Sequence, residues 1–320
     1  MQFEAIFVII TNNINLMKTF KLFIAFFVSV VFFSSCSQDD PLEGSITLGE
    51  LMSSYDLWYV DIHQTMGNGD VPFVSKAFTL SFNNGNIYAN NNIADIGFTG
   101  NGLGISVGNY DSFGIYLETI HDLDGRYIFD VLQLSMNEVR IYDTQQNVSY
   151  LLVGYQRDEF DYDMLFYDNI EYFMQEYIAW ERTDISLTGT PNPFDEEHYL
   201  QFTQENNTTF YSSQDSFGTN IDNLLWNFTG NYEVFDVDGF DNLKILTLNY
   251  EFGDFEEFEL TVVNDQVVNL FHISSQTTYE FTGRGFIQFL RNGDKSKLET
   301  NKKDRKRTKI IRKKKKKLNS

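Results

Sequence analysis

The sequence predicts a mainly β protein made of two tandem antiparallel β barrels or sandwiches, each preceded by a helix. Three observations support this prediction. The chain repeats itself at an offset of about 130 residues, and its apolar residues alternate in short runs separated by turns rich in Asn and Gly. It also contains 31 Phe and 18 Tyr, residue types that favour strands. With 42% hydrophobic residues over 320 positions, the chain can bury a sizeable core.

The repeat is most visible where the phrase Phe-Thr-Gly-Asn at residues 98–101 recurs at residues 228–231, an offset of 130. Further matches follow at the same or similar offsets. Asp111, Phe113 and Ile115 match Asp241, Leu243 and Ile245; Phe129, Val131, Val139, Ile141, Tyr142, Tyr150 and Gly154 match Phe258, Leu260, Val268, Leu270, Phe271, Tyr279 and Gly283; Trp58 matches Trp180; and residues 80–82 match 200–202. Because the shared positions are mostly apolar or turn-forming, they indicate a duplicated scaffold rather than a duplicated active site.

Residues 17–36 have the layout of a secretory signal, with a basic start, the apolar run 22–33 and a short polar end. The run is too short to cross a membrane as a helix. We therefore expect Met17 to be the true start and residues 1–16 to be an extension produced by misreading the gene upstream. Residues 37–46 form a short tether.

Cys36 is the only cysteine, so the chain cannot form an internal disulfide. Its place after the apolar run resembles the lipobox of bacterial lipoproteins, although Phe33 stands where Leu is usual. The resemblance implies that the Cys36 thiol is acylated and that the acyl chains anchor the protein to a membrane. The alternative is a plain signal with an incidental cysteine. Residues 37–40, Ser-Gln-Asp-Asp, look like the export signal of some Gram-negative surface lipoproteins.

Residues 47–157 form the first predicted β unit. Thr47 and Glu50 fit a capping box that starts a short helix, and a strand from about Leu57 carries Trp58. Hairpin turns are predicted at residues 83–86 and 122–125, because Asn and Gly tolerate the positive φ that tight hairpins need. The remaining predicted strands are 77–82, 87–88, 115–120, 127–134, 139–142 and 148–153.

Residues 158–290 form the second predicted unit, in which a helix again precedes a Trp-bearing strand. Phe166, Ile170, Phe173 and Tyr177 recur at helical spacing and predict an amphipathic helix of about four turns. Most of its acidic residues are expected on the solvent side. These are Asp161, Asp163, Asp168, Glu171 and Glu176.

Residues 291–320 carry fifteen Lys or Arg and three acidic residues, a net charge of +12, whereas the rest of the chain sums to −33. Such a basic run is expected to be solvated or disordered. It is either a contact for nucleic acid or anionic lipid, or a segment added by a lost stop codon that belongs to no domain. We favour the second interpretation, because the repeat already closes at Leu290.

The sequence predicts no catalytic, cofactor-binding or metal-binding residue. Residues 122–125 and 236–239 resemble the start of a calcium loop, but neither has the late bidentate Glu, and hairpin turns explain them better. The four histidines, His63, His121, His198 and His272, do not have the spacing of a zinc site. The acidic pairs at 196–197 and 256–257 are expected to be solvated in turns.

Two further functions lack their sequence signals. No Gly-x-Ser-x-Gly elbow or Gly-rich phosphate loop occurs, although a Ser–His–Asp arrangement remains open. Nucleic-acid binding by the folded part is excluded, because only nine Lys or Arg precede residue 291.

The order of a short helix, a strand with an early Trp and a run of hairpins resembles the lipocalin-like domains of Gram-negative lipoproteins, here twice over residues 47–290. Leu57-Trp58 and Ala179-Trp180 lack the Gly usual two residues before the Trp. The resemblance implies antiparallel barrels or open sandwiches whose interior holds a small apolar ligand.

Residues 17–290 also resemble a group of uncharacterised flavobacterial-type lipoproteins that are often labelled nicotinic acid mononucleotide adenylyltransferase. The label implies ATP-dependent adenylyl transfer on a parallel α/β fold with a His-x-Gly-His motif. That motif is absent here, and residues 273–277, Ile-Ser-Ser-Gln-Thr, match a second motif of that enzyme without its Arg.

We therefore expect a non-enzymatic lipoprotein anchored at the outer membrane or cell surface. It would bind a small apolar ligand or an envelope protein. The alternatives are the labelled nucleotidyltransferase, an envelope hydrolase of unrecognised type, or a purely structural spacer kept soluble by its acidic surface.

Overall fold

The computed structural model describes residues 46–203 and 208–288, together with residues 307, 310 and 312–317. The predicted extension, the signal with Cys36 and nearly all of the tether lie outside the described residues. Sixteen strands of the described part form two closed, eight-stranded antiparallel barrels in tandem, and a short further strand joins the second. The predicted fold class is confirmed, and both barrels are closed.

The first barrel follows helix α1 (Leu48–Ser53), whose predicted capping box between Thr47 and Glu50 is present. Its strands pair in chain order, and β1 also pairs with β8 to close the barrel. A second short helix, α2 (Pro72–Lys76), lies between β1 and β2. The strands are β1 (Leu57–Gly67), β2 (Thr79–Asn83), β3 (Asn86–Asn90), β4 (Ile105–Phe113), β5 (Tyr116–His121), β6 (Gly125–Gln133), β7 (Glu138–Asp143) and β8 (Val148–Tyr155).

The second barrel follows helices α3 (Tyr162–Asp168) and α4 (Ile170–Met174). Its strands also pair in chain order, and β16 returns to β9. Strand β17 (Lys314–Lys315) pairs in parallel with the end of β12. The other strands are β9 (Tyr177–Leu187), β10 (Tyr199–Phe202), β11 (Thr209–Ser213), β12 (Phe228–Val237), β13 (Phe240–Tyr250), β14 (Phe255–Asn264), β15 (Val267–His272) and β16 (Thr277–Phe286).

A buried Trp joins each barrel to the helix before it. The Trp58 Nε1–H donates to the carbonyl oxygen of Met52 at 2.8 Å, and the Trp180 Nε1–H donates to that of Met174, also at 2.8 Å. Both indoles are at most 1% exposed. Each hydrogen bond satisfies the one polar atom of a large apolar ring and also fixes the end of the helix against the barrel.

The last strand of each barrel has a Gly opposite this Trp. Gly154 pairs with Trp58, and Gly283 pairs with Trp180. A Cβ at Gly154 would lie 2.6 Å from the Tyr55 ring, and one at Gly283 would lie 2.5 Å from the Tyr177 ring. Glycine is therefore required at both positions because an aromatic ring lies against the backbone.

The duplication is confirmed, but the phrase that first revealed it is in the wrong register. Residues 99–102 form a 3₁₀ turn before β4, whereas residues 228–231 begin β12. The structural equivalent of Gly230 is Gly108, because they pair with the equivalent β11 and β3 positions, Phe210 and Ile87. The offset there is 122, as for the two Trp residues, and the matches at an offset of 129 from Phe129 onward fall on equivalent strands.

A Pro-Phe pair closes the far end of each barrel. Phe73 follows Pro72 in α2, and Phe194 follows Pro193 in a 3₁₀ helix between β9 and β10. The Phe73 ring lies 6.3 Å from that of Phe129, and the Phe194 ring lies 4.7 Å from that of Phe258. The two pairs are offset by 121 residues, a repeat signal that the sequence analysis missed.

Side chains fill the barrel interiors. The largest interior groups are at most 1% exposed, so a water-sized probe touches almost none of their surface. They are Trp58, Phe129 and Tyr150 in the first barrel and Trp180, Phe258 and Phe281 in the second. These interior side chains are therefore closely packed.

The predicted four-turn helix is two short helices separated by Asn169, which has a non-helical backbone. The Asn169 side chain donates to the carbonyl of Leu165 at 3.2 Å and so competes with helix continuation. Two of the acidic residues that were predicted to face solvent are instead buried. Glu171 and Glu176 are 4% and 0% exposed, and the Glu176 carboxylate accepts from the backbone N–H groups of Ile93 and Ala94, both at 2.8 Å.

This carboxylate joins the two barrels. Phe78, Ile93, Ala94 and Ile96 of the first unit belong to the same buried cluster as the α3–α4 segment and the interior of the second barrel. The described residues from Thr47 onward accordingly belong to one compact unit. No helix of the described part is both long enough and apolar enough to span a bilayer.

We predict that Gly283→Ala lowers the free energy of unfolding by about 1–3 kcal/mol, because the new methyl group overlaps the Tyr177 ring. Urea denaturation of the purified protein measures the change. In a Tyr177→Ala background the same substitution should cost less than about 0.5 kcal/mol, since the clash is gone. An equal cost in both backgrounds would contradict the close approach as the cause.

A candidate peptide-binding groove

The basic C-terminal segment was predicted to be solvated or disordered. Its described part is instead packed against the barrels. Arg307 is 2% exposed, and the Arg312 side chain is 6% exposed. Ile310 packs against the shared core. We name the surface that receives this segment the acidic groove and define it by Asp168, Glu171, Asp236, Asp238 and Glu257.

Arg312 and Glu171 form the central contact of the acidic groove. The Arg312 Nε–H donates to Glu171 Oε1 at 2.9 Å, and a second guanidinium nitrogen donates to Glu171 Oε2. The backbone carbonyls of Tyr167 and Asp168 accept further bonds at 3.4 and 3.3 Å. This two-pronged geometry is specific to Arg, because its planar fork matches a carboxylate.

Arg307 binds where α3 and α4 meet the first barrel. Its guanidinium donates to the carbonyl of Val60 and to Asn169 Oδ1, both at 3.0 Å, and also to the carbonyl of Ala77. The cation lies 4.3 Å from the centre of the Phe78 ring, a favourable cation–π position. Backbone carbonyls, an amide oxygen and an aromatic face therefore all contribute to the binding of Arg307.

The segment continues as a strand on a free edge of β12. Strand β11 covers only residues 228–231 of that edge, and β17 pairs farther along it, at Asp236 and Val237. The Asp238 N–H donates to the carbonyl of Lys315 at 2.9 Å. The Lys315 Nζ lies 2.6 Å from a Glu257 carboxylate oxygen. The contact thus combines strand addition with charge pairing.

The carboxylates of the acidic groove lie close to cations, and these opposite charges shift the pKa values of Asp236 and Arg312. Burial raises the pKa of Asp168. Burial also acts to raise the pKa of Asp236, but the Lys244 ammonium at 2.8 Å, with Arg312 and Lys314 nearby, holds that pKa below its usual value. Burial disfavours the charged form of Arg312, yet the bonds to Glu171 raise its pKa overall.

A second polar cluster lies at the closed far end of the second barrel. The sequence analysis expected the pair 196–197 to be solvated, and Glu196 is exposed, but Glu197 is only 6% exposed. The Tyr250 hydroxyl lies 2.8 and 3.0 Å from the two Glu197 oxygens. Burial raises the pKa of Glu197 to about 7, although the bond from Tyr250 opposes the shift.

The same cluster contains a Ser–His–Glu chain. His272 Nδ1 lies 2.7 Å from Ser275 Oγ, and His272 Nε2 lies 2.5 Å from Glu256 Oε2. Glu256 belongs to strand β14 rather than to the expected turn. Ser275 is only 4% exposed, so no substrate reaches its hydroxyl in this arrangement. The hydroxyl of Ser274, an exposed residue, also lies 3.1 Å from His272 Nε2.

A cleft of about 350 Å³ opens on the outer side of the second barrel, between Phe217 and Arg284. Arg284 is paired there with Glu181 at 2.7 Å, and the Arg182 guanidinium lies 5.3 Å from the centre of the Phe217 ring. One ion pair and one cation–π contact therefore line this cleft.

The other residues singled out in the sequence do not converge on one site. Residues 122–124 lie in the β5–β6 turn and 238–239 in the β12–β13 turn, as predicted. His63, His121 and His198 contact Asp168, Asp124 and Asp215, respectively. In the described part of the chain, no three His, Cys, Asp or Glu side chains gather as a metal ion would require. The lipidation candidate, Cys36, lies outside the described residues.

The sequence did contain a signal for the groove. The segment after Leu290 carries +12 and the rest of the chain −33, so attraction between them was predictable. The positions of Glu171 and Asp236 were not, because they lie 65 residues apart and meet only through the fold. The sequence matches no protein-family model and no curated protein.

We predict that Arg312→Ala destabilises the protein by about 3 kcal/mol, because it leaves the Glu171 carboxylate buried without its counter-charge. Urea denaturation measures the loss, and Lys313→Ala, which removes an exposed cation next in the chain, serves as the matched control. Adding Glu171→Gln to Arg312→Ala should recover part of the loss. No recovery, or an equal loss in the control, would refute the pairing.

A further prediction concerns pH. The unfolded chain releases the Glu197 proton near pH 4.5 and the folded chain near pH 7, so stability present below pH 4.5 is lost as the pH rises through about 7. The loss amounts to about 3 kcal/mol. Denaturation at pH 5 and pH 8 should show that Glu197→Gln removes this dependence whereas Glu196→Gln keeps it. A dependence unchanged in Glu197→Gln would contradict the assignment.

Proposed function

We propose that this chain is a lipid-anchored protein of the bacterial cell envelope that binds a basic, extended peptide segment and does not catalyse a reaction. The anchor is supported by the apolar run 22–33 followed by Cys36, the layout of a lipoprotein signal. The partner is an envelope protein that presents a strand rich in Arg and Lys. The chain's own residues 307, 310 and 312–317 are the resident occupant of the same groove.

The observation that carries the proposal is the pairing of Arg312 with Glu171 beside strand addition on β12. Main-chain pairing supplies affinity for any extended segment, and the buried carboxylate selects an Arg at one position of it. Glu171 lies in the first turn of α4 and is 4% exposed, so its carboxylate is preorganised before a peptide arrives.

Two other functions have less support. Carriage of an apolar ligand inside a barrel needs free volume, and the interior side chains of both barrels occupy it. Adenylyl transfer of the kind implied by the family label uses a parallel α/β sheet. The strand pairs of the described residues are antiparallel except for the short β12–β17 pair.

We predict that a fluorescent peptide with the sequence of residues 307–317 binds in trans to a full-length Arg307→Ala/Arg312→Ala variant. In this variant the chain's own C-terminal segment binds the acidic groove more weakly. Fluorescence anisotropy should give micromolar affinity, about −8 kcal/mol, that falls as salt is added. The unmodified chain should bind the peptide much more weakly, because its own segment fills the groove at a high effective concentration.

The control peptide has the same composition in scrambled order, so it keeps the charge but loses the spacing of Arg307 and Arg312. A further Glu171→Gln substitution in the receiving variant should weaken binding of the native peptide about tenfold or more. Equal binding of the scrambled peptide would show that only non-specific charge attraction holds the peptide, and would contradict the proposed selection of Arg. Failure of both peptides to bind would refute the proposal.

A further inference from the structure

One end of the first barrel exposes a concentration of large apolar side chains. Phe113 is 84% exposed and Met136 is 83% exposed, values near those of an isolated residue. Ile115 and Leu132 are about as open, at 58% and 61%. With Leu134 they make up what we name the apolar rim.

The topology places these residues together. The β4–β5 and β6–β7 turns lie at the same end of an up-and-down barrel, the end at which β1 begins. The Val131 N–H donates to the carbonyl of Ile115 at 2.9 Å, which brings the two turns side by side. The Tyr55 hydroxyl donates to the carbonyl of Met136 at 3.0 Å, so the second turn reaches the start of β1.

Helix α1 lies across the same end. A Cβ at Gly49 would lie 2.9 Å from Ser112 Oγ, next to Phe113, and Leu51 and Met52 of α1 are buried in the core of the first barrel. The rim therefore surrounds the point at which the chain enters the barrel from its N-terminal side.

We propose that the apolar rim inserts into the surface of a lipid bilayer and orients the protein on the membrane. This inference rests on the proposed anchor at Cys36. Cys36 precedes Ile46 by ten residues, which span at most about 35 Å when fully extended. An acyl group on Cys36 holds this end of the barrel near the membrane. Insertion of several apolar side chains then adds a second attachment to the lipid chain.

The charges around the rim favour neutral lipid. The ionisable residues closest in sequence to Phe113, Leu132 and Met136 are acidic, namely Asp111, Asp130 and Glu138, and an anionic surface would repel them. We therefore expect deeper insertion into phosphatidylcholine bilayers than into bilayers rich in phosphatidylglycerol.

The experiment uses the full lipidated chain and exploits its single cysteine. Because acylation blocks Cys36, a second cysteine introduced as Met136→Cys or Ile115→Cys is the only free thiol for an environment-sensitive fluorophore. Phe252→Cys, at a residue 90% exposed on the β13–β14 turn, is the matched control. The labelled proteins are reconstituted in phosphatidylcholine vesicles that contain a lipid-borne quencher.

We expect the labels at positions 136 and 115 to be quenched about threefold or more relative to the label at position 252, with emission shifted to shorter wavelength. Recovery of the protein in the soluble fraction would overturn the anchor, and the orientation with it. A membrane-bound protein whose label at 136 remains in water overturns only the orientation. A shifted emission without lipid quenching overturns it too, because protein, either a second copy or the chain's own N-terminal run, then covers the rim.

Discussion

The hydrogen bond from each Trp indole to the end of the preceding helix is the constraint on which the architecture depends. Trp58 and Trp180 fill the near end of their barrels and bind Met52 and Met174 in the same geometry. The last strand of each unit carries a glycine opposite the Trp, because the ring of Tyr55 or Tyr177 lies against the backbone there. The two copies share this arrangement although their loops differ in length.

Both barrels are closed and eight-stranded. An eight-stranded barrel has an interior just large enough for side chains, and aromatic rings fill both of these. The buried carboxylates that remain serve different purposes. Glu176 joins the two units through backbone N–H groups, Glu197 is kept near neutrality by burial, and Glu171 receives a cation from the C-terminal segment.

Electrostatic complementarity explains why the C-terminal segment is bound. Eleven of its residues, from 307 to 317, include eight Lys or Arg, and the folded part is strongly acidic. Long-range attraction alone would hold such a segment loosely. Arg307 and Arg312 convert it to a defined contact because each cation is desolvated among acceptors that were already in place.

The sequence by itself determined the fold class, the duplication, the capping box at Thr47 and the two Trp-bearing strands, because alternation, turn residues and caps are local signals. Only the tertiary structure decided which repeat register was true, where the long helix broke at Asn169 and which acids were buried. The helical pattern predicts that Glu171 faces solvent, because the pattern contains no information about Arg312, which lies 141 residues away in the sequence. Burial and ion pairing depend on which distant parts of the chain meet, and that is fixed only when both barrels close.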